Sequence, residues 1–222
     1  MAITVGNTNT AASTSNTTAY SCDLNNNKDM VIAFAIGMAT TDTDRTSTAT
    51  YNSVNMPELI TVTGTTTSRR YRVSIFGLAG AATGLNTCTV TYSTGIGSSV
   101  IGTMCLAGQA VSFAGDTDTN TAGCVTSIIT TQANSIILSA ACVRSNTTPP
   151  TLTPEADQTE VVNTTPLSGN TDVVGGGWYR IVTSTGTYSV GATASDTTGD
   201  FGCAVELKEL VSGIFVPRIM IF

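Results

Sequence analysis

Histidine is absent from this chain of 222 residues. Ser-His-Asp and Cys-His catalytic centres therefore cannot form, and zinc sites of the Cys/His kind are excluded. A glycosidase would need two carboxylates flanking a cleft, but the acidic candidates fall in predicted turns or at outward-facing strand positions. These candidates are Glu58, Asp116, Asp118, Glu155, Asp157, Glu160, Glu206 and Glu209. The sequence predicts a protein that is not an enzyme and that carries no cofactor.

Charge is scarce as well, since only 11% of the residues are charged, against about a quarter in an ordinary globular protein. The formal net charge of −6 argues against nucleic acid or an anionic membrane as a main partner. The longest strongly apolar stretch, residues 30–39, is about half as long as a membrane span. The opening "MAITVGNTNTAAS" has no recognisable secretion signal. Solubility must come largely from hydroxyl and amide groups, which suits extracellular life or a place in an assembly.

The six cysteines include no Cys-x-x-Cys pair. Strand alternation places Cys88, Cys142 and Cys203 among apolar neighbours at inward-facing positions, where a free cysteine behaves as a small hydrophobic residue. A chain made without a leader in a reducing cytoplasm also favours thiols. Buried thiols are therefore the favoured state, and at least one disulfide is the alternative.

The apolar pattern is that of β-strands along the whole chain. Short runs such as "ELITVT", "CTVTYS" and "TEVVN" alternate with turn clusters such as "TDTDRTS" and "GDTDTNTAG". The run "MVIAFAIGM" is apolar on both faces, as expected of a central strand covered on both sides. In "AVELKELV", alternation turns Glu206 outward and Val205 inward. No repeat of fixed period is evident.

The predicted fold class is all-β: an antiparallel, jelly-roll-like β-sandwich that forms a single domain. The sandwich is assigned to residues 16–211, preceded by an N-terminal arm over residues 1–15. Residues 212–222 are assigned to an apolar C-terminal arm or closing strand.

Five segments carry a resemblance to a known family. They are "VIAFAIGMATTDTDRTSTATYNSVNMPEL", "RRYRVSIFGLAGAATGLNTCTVTYS", "AGQAVSFAGDTDTN", "ANSIILSAACVRSNTTPPTLTPEADQTEVVNT" and "GGGWYRIVTSTGTYSVGATASDTTGDFGCAVELKEL". Their order resembles the concanavalin A-like, jelly-roll-type β-sandwich modules of bacteriophage virion proteins and bacterial surface proteins. Those modules have a hairpin that "ATYNSVNMPEL" matches and a final strand that "AVEL" matches. The resemblance covers about residues 16–210 and implies the fold, with no shared set of catalytic residues.

The loops "TTDTDRTS", with Asp42 and Asp44, and "GDTDTNTAG" are the best metal candidates. Asp116, Asp118 and Asn120 alternate acidic and amide oxygens, which suits a hard cation such as calcium. The second loop begins like an EF-hand loop, but Thr121 stands where that motif requires glycine, and no helices flank it. The alternative is a solvated turn whose side chains bind nearby backbone groups.

A carbohydrate site on a β-sandwich would need an aromatic platform. Trp178, the single tryptophan, and Tyr179 follow "GGG", and alternation sends them to opposite faces. One ring could be exposed for a sugar. The favoured interpretation is a core aromatic residue preceded by a flexible glycine turn.

Two segments are candidates for contacts with other subunits. Arg69, Arg70 and Arg72 in "SRRYR" could bind an acidic neighbour, and a solvated strand start is the alternative. The chain ends on "SGIFVPRIMIF", where Pro217 prevents a continuous central strand. This tail either completes its own sandwich or packs on a neighbouring subunit. Its predicted interface residues are Ile214, Phe215, Val216, Ile219, Met220, Ile221 and Phe222.

Together these features predict a non-enzymatic virion structural protein, either a phage capsid decoration (cement) protein or a tail-associated subunit. Its expected partners are major capsid or tail subunits and further copies of itself, with no nucleic acid and no membrane. Its expected location is the virion, an extracellular particle assembled in the host cytoplasm. Two alternatives stay open: a carbohydrate-binding adhesion module on a fibre, with a glycan as partner, and a subunit of a secreted bacterial filament.

Overall fold

The computed structural model of the chain describes residues 2–13, 17–39, 41–66, 69–108, 115–144, 150–164, 173–195 and 199–210. These residues form seventeen strands in antiparallel sheets packed as sandwiches, and none of them is helical. The predicted fold class is therefore confirmed. In this described part, nothing forms a helix long and apolar enough to cross a membrane.

The first half of the chain folds into two packed sheets. Its strands are β1 (Thr4–Ser13), β2 (Thr17–Asn26), β3 (Met30–Ala39), β4 (Ser47–Tyr51), β5 (Val54–Met56), β6 (Glu58–Thr66), β7 (Arg69–Ala79), β8 (Gly84–Ile96) and β9 (Ser98–Ala107). Inner sheet 1 has the order β1-β9-β3-β7-β6, and outer sheet 1 has the order β2-β8-β4-β5. The first strand pairs with the last and the second with the second last, so the chain wraps as in a jelly roll.

The second half folds in the same manner. Its strands are β10 (Thr117–Asn120), β11 (Val125–Thr130), β12 (Ser135–Arg144), β13 (Leu152–Pro154), β14 (Thr159–Thr164), β15 (Val173–Val182), β16 (Gly186–Ala194) and β17 (Gly199–Leu207). Inner sheet 2 has the order β10-β17-β12-β15-β14, and outer sheet 2 has the order β11-β16-β13. Again the first strand pairs with the last and the second with the second last.

The four sheets form four layers, with the two inner sheets in the middle. The central core between the inner sheets contains residues of both halves, such as Phe34 and Leu138. A second core, around Tyr51, lies between inner and outer sheet 1. Two smaller clusters, around Trp178 and Ile128, lie between inner and outer sheet 2. The central strands β3 and β12 are buried along their whole length, which confirms the double-sided burial predicted for "MVIAFAIGM".

The two halves are a structural repeat that the sequence analysis did not detect. The strands β1, β2, β3, β4, β6, β7, β8 and β9 occupy the same sheet positions as β10 to β17 in turn. Among the described residues, only β5 has no counterpart in the second half. Counterpart strands begin 113 residues apart at Thr4 and Thr117, but 101 residues apart at Ser98 and Gly199. Because the loops differ in length, the repeat has no fixed period.

Glycines let the two inner sheets approach each other closely. A Cβ on Gly177 of β15 would lie 2.8 Å from Cγ of Phe34, and one on Gly175 would lie 2.9 Å from Cγ2 of Ile36. These glycines belong to the "GGG" that was predicted to be a flexible turn, yet they lie in β15 and pair with β12. The turn prediction is wrong because at these positions a side chain would hold the sheets apart.

The structure divides the described chain differently from the predicted division into arm and sandwich. Residues 4–13, predicted as part of an N-terminal arm, form β1 and pair with β9. Residues 16–211, predicted as one sandwich, contain strands of two sandwiches that share a central core. The predicted C-terminal arm, residues 212–222, lies outside the described residues.

Candidate functional site

The proposed calcium ligands bind the backbone of a neighbouring strand. Asp116 and Asp118 each accept a hydrogen bond through Oδ2, and Asn120 donates one through Nδ2. Their partners on β11, at 2.8, 2.9 and 2.8 Å, are the N–H groups of Ile129 and Ser127 and the carbonyl of Val125. Because alternate strand residues point the same way, these side chains form a ladder along the edge of β11 that pairs with no described strand.

This ladder spreads the oxygens along a strand, whereas calcium needs about six to eight oxygens around one point. Within the described ranges, no group of three or more acidic or cysteine residues could hold a metal ion. The alternative to a calcium site was a turn whose side chains bind nearby backbone groups. The hydrogen bonds from these side chains to β11 are contacts of that kind. The calcium site stays a prediction.

The first half contains an equivalent ladder built from asparagines. Asn7 and Asn9 of β1 donate through Nδ2 to the carbonyls of Asn25 and Asp23 on β2, at 2.7 and 2.6 Å. Like β11, β2 is the edge of its outer sheet. In each half, alternate side chains of the first strand therefore join the inner sheet to the exposed edge of the outer sheet.

Arg69 and Arg70 contact groups of their own chain. Arg69 Nη1 lies 3.5 Å from Sδ of Met38. Arg70 lies 3.8 Å from a carboxylate oxygen of Asp42 and 3.9 Å from one of Asp44. The loop "TTDTDRTS" thus supplies the acidic partners that the sequence analysis sought on another subunit. Exposed ion pairs of this length contribute little to stability. The role of Arg69 and Arg70 at a subunit interface stays a prediction.

Arg72 is more deeply held. Its Nη2 donates to both carboxylate oxygens of Glu58, at 3.0 and 3.3 Å, and its Nε donates to Oγ of Ser47 at 2.9 Å. Only a tenth of its side chain is exposed. The guanidinium therefore organises the space between β4 and β6, and its role at a subunit interface stays a prediction.

Beside this ion pair lies a cavity of about 300 Å³. Of the residues that line it, Thr48, Asn55 and Glu58 are exposed, whereas Met56 and Phe76 are buried. The hairpin turns through Asn52 and Ser53, whose φ angles of 48° and 65° are those of a two-residue turn with left-handed residues. All the residues that line the cavity belong to the first half.

Ser47 and Asn55 are site residues that the sequence analysis missed, whereas Glu58 was named there only among the acidic residues that a glycosidase would need. They lie in or beside the quoted segment "ATYNSVNMPEL", which was used only as a fold motif. Its signal was the asparagine-containing turn between two alternating runs, which predicts a hairpin. That a cavity lies under this hairpin depends on β7, which supplies Phe76.

The two outer sheets present hydroxyl groups outward. On outer sheet 1, Thr91 pairs with Thr48, and Ser21 bonds Thr89 through their hydroxyls at 2.8 Å. On outer sheet 2, the exposed residues Ser127, Ser189, Thr187, Thr153 and Thr193 face solvent, together with Ile129. We call these surfaces the hydroxyl faces. They lie on opposite sides of the four-layer stack.

The aromatic pair lies on opposite faces of β15, as predicted. Trp178 is fully buried in the cluster beneath outer sheet 2, and Tyr179 packs, partly buried, against the central core. The core interpretation of Trp178 is confirmed. Tryptophan therefore supplies no platform for a sugar.

All six cysteines are buried free thiols. Burial raises the pKa of Cys88 to about 12 and also raises the pKa of Cys124 to about 12. Cys142 is wholly buried, and its pKa is raised well above the usual value. The thiols of Cys88, Cys124 and Cys142 are therefore protonated and unreactive at neutral pH, as expected of packing residues.

Glu206 is the most deeply buried carboxylate of the described chain, with no exposed surface. It was predicted to face outward, and that prediction is wrong because outer sheet 2 covers this face of β17. Its carboxylate accepts hydrogen bonds from the N–H groups of Thr131, Gln132 and Asp116 and from the hydroxyl of Thr131. Burial alone would raise the pKa of Glu206, but these hydrogen bonds outweigh it and lower the pKa.

No family model matches this chain, and neither a curated protein nor a solved structure does. The predicted tail contacts from Ile214 to Phe222 lie outside the described residues.

Proposed function

We propose that this protein is a non-enzymatic structural subunit of a virion, a capsid decoration protein or a tail-associated protein that holds neighbouring subunits together. The observation that carries the proposal is the pair of hydroxyl faces on opposite sides of one rigid stack. Each face belongs to the same kind of sandwich, so each can bind an equivalent surface. Such a protein would bridge two copies of a partner.

The chemistry of the hydroxyl faces supports this role. Threonine and serine side chains form hydrogen bonds without the desolvation cost that a buried charge carries. A face with few charges can therefore be covered by a neighbour at low cost. The low charge content of the chain, 11%, is in keeping with extensive coverage in an assembly.

The test compares particles that contain this protein, purified from the virus that encodes it, with particles assembled without the protein. We expect the protein in purified particles in a fixed ratio to a major structural subunit, and we expect particles without it to break at a lower temperature. Adding the purified protein should restore their stability. Absence of the protein from purified particles would refute the proposal.

Variants separate attachment from bridging. Thr91→Lys and Ser189→Lys each place a charge on one hydroxyl face, and Thr119→Lys on the edge strand β10 is the matched control. Each single variant should still attach through its intact face but should fail to stabilise the particle. The double variant should not attach, and the control should behave as the unaltered protein. Full stabilisation by both single variants would exclude bridging by these faces.

The two alternatives predict different results. An adhesion module would bind glycans while leaving particle stability unchanged when it is removed. A filament subunit would polymerise by itself, and removal of residues 213–222 would stop polymerisation if the tail is a donated strand.

A further inference from the structure

Each hydroxyl face carries one large aliphatic side chain that is open to solvent. Leu85 of β8 is 72% exposed on outer sheet 1, and Ile129 of β11 is 57% exposed on outer sheet 2. Cys88, three residues after Leu85, and Ile128, next to Ile129, are fully buried, so both aliphatic side chains point away from the core. Single exposed aliphatic residues are common on protein surfaces, so exposure alone indicates no function.

The positions of these two residues in their sheets are equivalent. The strands β8 and β16 correspond in the repeat, and each begins with a glycine that pairs with the last residue of the adjoining edge strand. In the first half, the next pair along this ladder is Leu85 with Asn25. In the second half, the next pair is Ile129 with Thr187. Each half therefore places its aliphatic residue in the same outward-facing cross-strand pair.

The two halves are related by an approximate two-fold axis. Gly64 of β6 leaves space for the ring of Phe201 on β17. Gly102 of β9 likewise leaves space for Val162 on β14. Because β6 corresponds to β14 and β17 to β9, exchange of the halves turns one contact into the other, which is the property of a two-fold interface. The same axis therefore relates the two hydroxyl faces and their aliphatic residues.

We propose that Leu85 and Ile129 are the anchors of the two hydroxyl faces, and that the partner is one kind of protein subunit, bound in two copies related by a two-fold axis. Each copy presents an apolar pocket surrounded by hydrogen-bonding groups to one face. This inference rests on the bridging function proposed above and specifies the surface that the bridged subunits must have.

The chemistry of the two anchors fits a single kind of pocket. Leucine and isoleucine side chains are isomers, and an exchange between them conserves volume, so one pocket accommodates either with small adjustments. The cross-strand neighbour of each anchor, Asn25 or Thr187, is polar and exposed. Protein interfaces commonly concentrate binding energy in a few central side chains, and the contacts around these exclude water.

The scarcity of charge around the anchors indicates a partner surface of low charge. Among the described strand residues that point outward from outer sheet 2, around Ile129, none is charged. Near Leu85, the carboxylate of Asp23 accepts a hydrogen bond from the hydroxyl of Thr87 at 2.6 Å. A partner that binds through phosphate groups would find no cation here, so an uncharged protein surface fits best.

The experiment measures attachment of the purified full chain to particles assembled without it. The chain is added over a range of concentrations, and the amount that sediments with the particles is determined. Leu85→Ser and Ile129→Ser should each weaken attachment about 10- to 100-fold, because each removes the apolar group that would be buried. The double variant should not attach.

Matched variants separate apolar anchoring from a general effect of substitution. Leu85→Ile and Ile129→Leu keep the apolar volume and should attach more tightly than the serine variants. Val54→Ser is the control for loss of an exposed aliphatic side chain, because Val54 is 53% exposed but lies in β5, which has no described counterpart. It should attach like the unaltered chain. All these side chains are exposed, so each variant should keep its melting temperature.

The results distinguish this inference from the function on which it rests. Failure of the unaltered chain to attach would refute both. Attachment of the unaltered chain together with equal attachment of the double serine variant would refute the anchors alone. Weakening by only one serine variant would overturn the two-fold arrangement. A dimer of the purified chain, seen by analytical ultracentrifugation and abolished in the double serine variant, would show that the faces bind a second copy of this chain and would overturn the assignment to another subunit.

Discussion

Glu206 shows how this fold accommodates a buried charge. The carboxylate lies between inner sheet 2 and outer sheet 2 and accepts hydrogen bonds from the turn between β11 and β12 and from the residue before β10. Burial of an ionised carboxylate is unfavourable unless such donors surround it. Glu206 therefore fixes the positions of two segments that are distant in sequence from β17.

We predict that Glu206→Gln destabilises the protein by about 1.5–3 kcal/mol at neutral pH. The amide of glutamine has one acceptor oxygen and would turn an N–H₂ group toward other donors. The measurement is the free energy of unfolding from urea denaturation. Gln132→Ala, which keeps the backbone donor, is the matched control and should cost less.

The same residue makes the stability dependent on pH. Because the folded-state pKa of Glu206 is lowered, its contribution is complete above the ordinary pKa of about 4.3 and is lost as the pH falls through the folded-state value. The difference in unfolding free energy between the unaltered chain and Glu206→Gln should therefore be constant near neutral pH and shrink in acid. A difference that does not change with pH would show that folding leaves the pKa of Glu206 unshifted, and a difference that grows in acid would show that folding raises it.

At the level of single residues, the alternation of strand residues predicted correctly which side chains share a face of the strand. Cys88 lies inside with Val90, and Trp178 and Tyr179 lie on opposite faces, because these positions depend only on the two-residue period of a strand. Glu206 was assigned wrongly because alternation tells which face a side chain occupies but not whether another sheet covers that face.

At the level of elements, the ladders from β1 to β2 and from β10 to β11 solve a problem of exposed strand edges. An edge strand presents unpaired N–H and C=O groups that can pair with another chain. Asparagine and aspartate side chains of the neighbouring strand satisfy some of these groups in each half. The motif "DTDTN" supplies the side chains of the ladder from β10 to β11.

We predict that Asp118→Ala destabilises the protein by about 1–2 kcal/mol, because the N–H of Ser127 loses its acceptor. Hydrogen exchange at Ser127 should become faster. The matched control is Thr119→Ala on the opposite face of β10, which should have little effect. A rise in melting temperature on addition of calcium that is lost in Asp118→Ala would instead support the predicted calcium site.

The sequence analysis located most strands but neither the two ladders nor the cavity. Runs of β-branched residues and turn clusters mark strands locally. The ladder, in contrast, depends on β10 lying beside β11, and the cavity depends on β5 lying over β7. Such neighbours are set by the packing of sheets, which no local pattern encodes.

At the level of the whole molecule, the central core makes one body of two sandwiches. Tyr71 of the first half stacks on Phe201 of the second, with ring centroids 5.7 Å apart and planes inclined by 21°. Gly64 leaves the space that the Phe201 ring occupies. Side chains of one half therefore fit spaces in the other.

We predict that Gly177→Ala destabilises the protein by about 1–3 kcal/mol, because the new methyl group would press on the root of the Phe34 side chain. The matched control is Gly186→Ala, whose Cβ would lie 3.7 Å from the ring of Tyr188 in ordinary contact. The measurement is urea denaturation followed by Trp178 fluorescence and by amide signals of the first half. Both probes should report one transition at a lower urea concentration; separate transitions would show that the halves unfold independently.

The repeat itself was hidden in the sequence for a physical reason. Counterpart strands need similar alternation and not identical residues, and the loops between them differ in length. The repeat is visible in the order of the strands within the sheets, and that order depends on pairing partners far apart in the chain. The single-sandwich prediction followed from the same limitation.

The packing of the two inner sheets has a consequence for how the pair of halves is maintained. Two identical chains meeting through such a surface would form a dimer that dissociates on dilution. Covalent linkage replaces that equilibrium with a high local concentration, so the ratio of the halves is always one to one. It also frees each half to change by itself. The extra hairpin of the first half is a difference that a pair of identical subunits could not have.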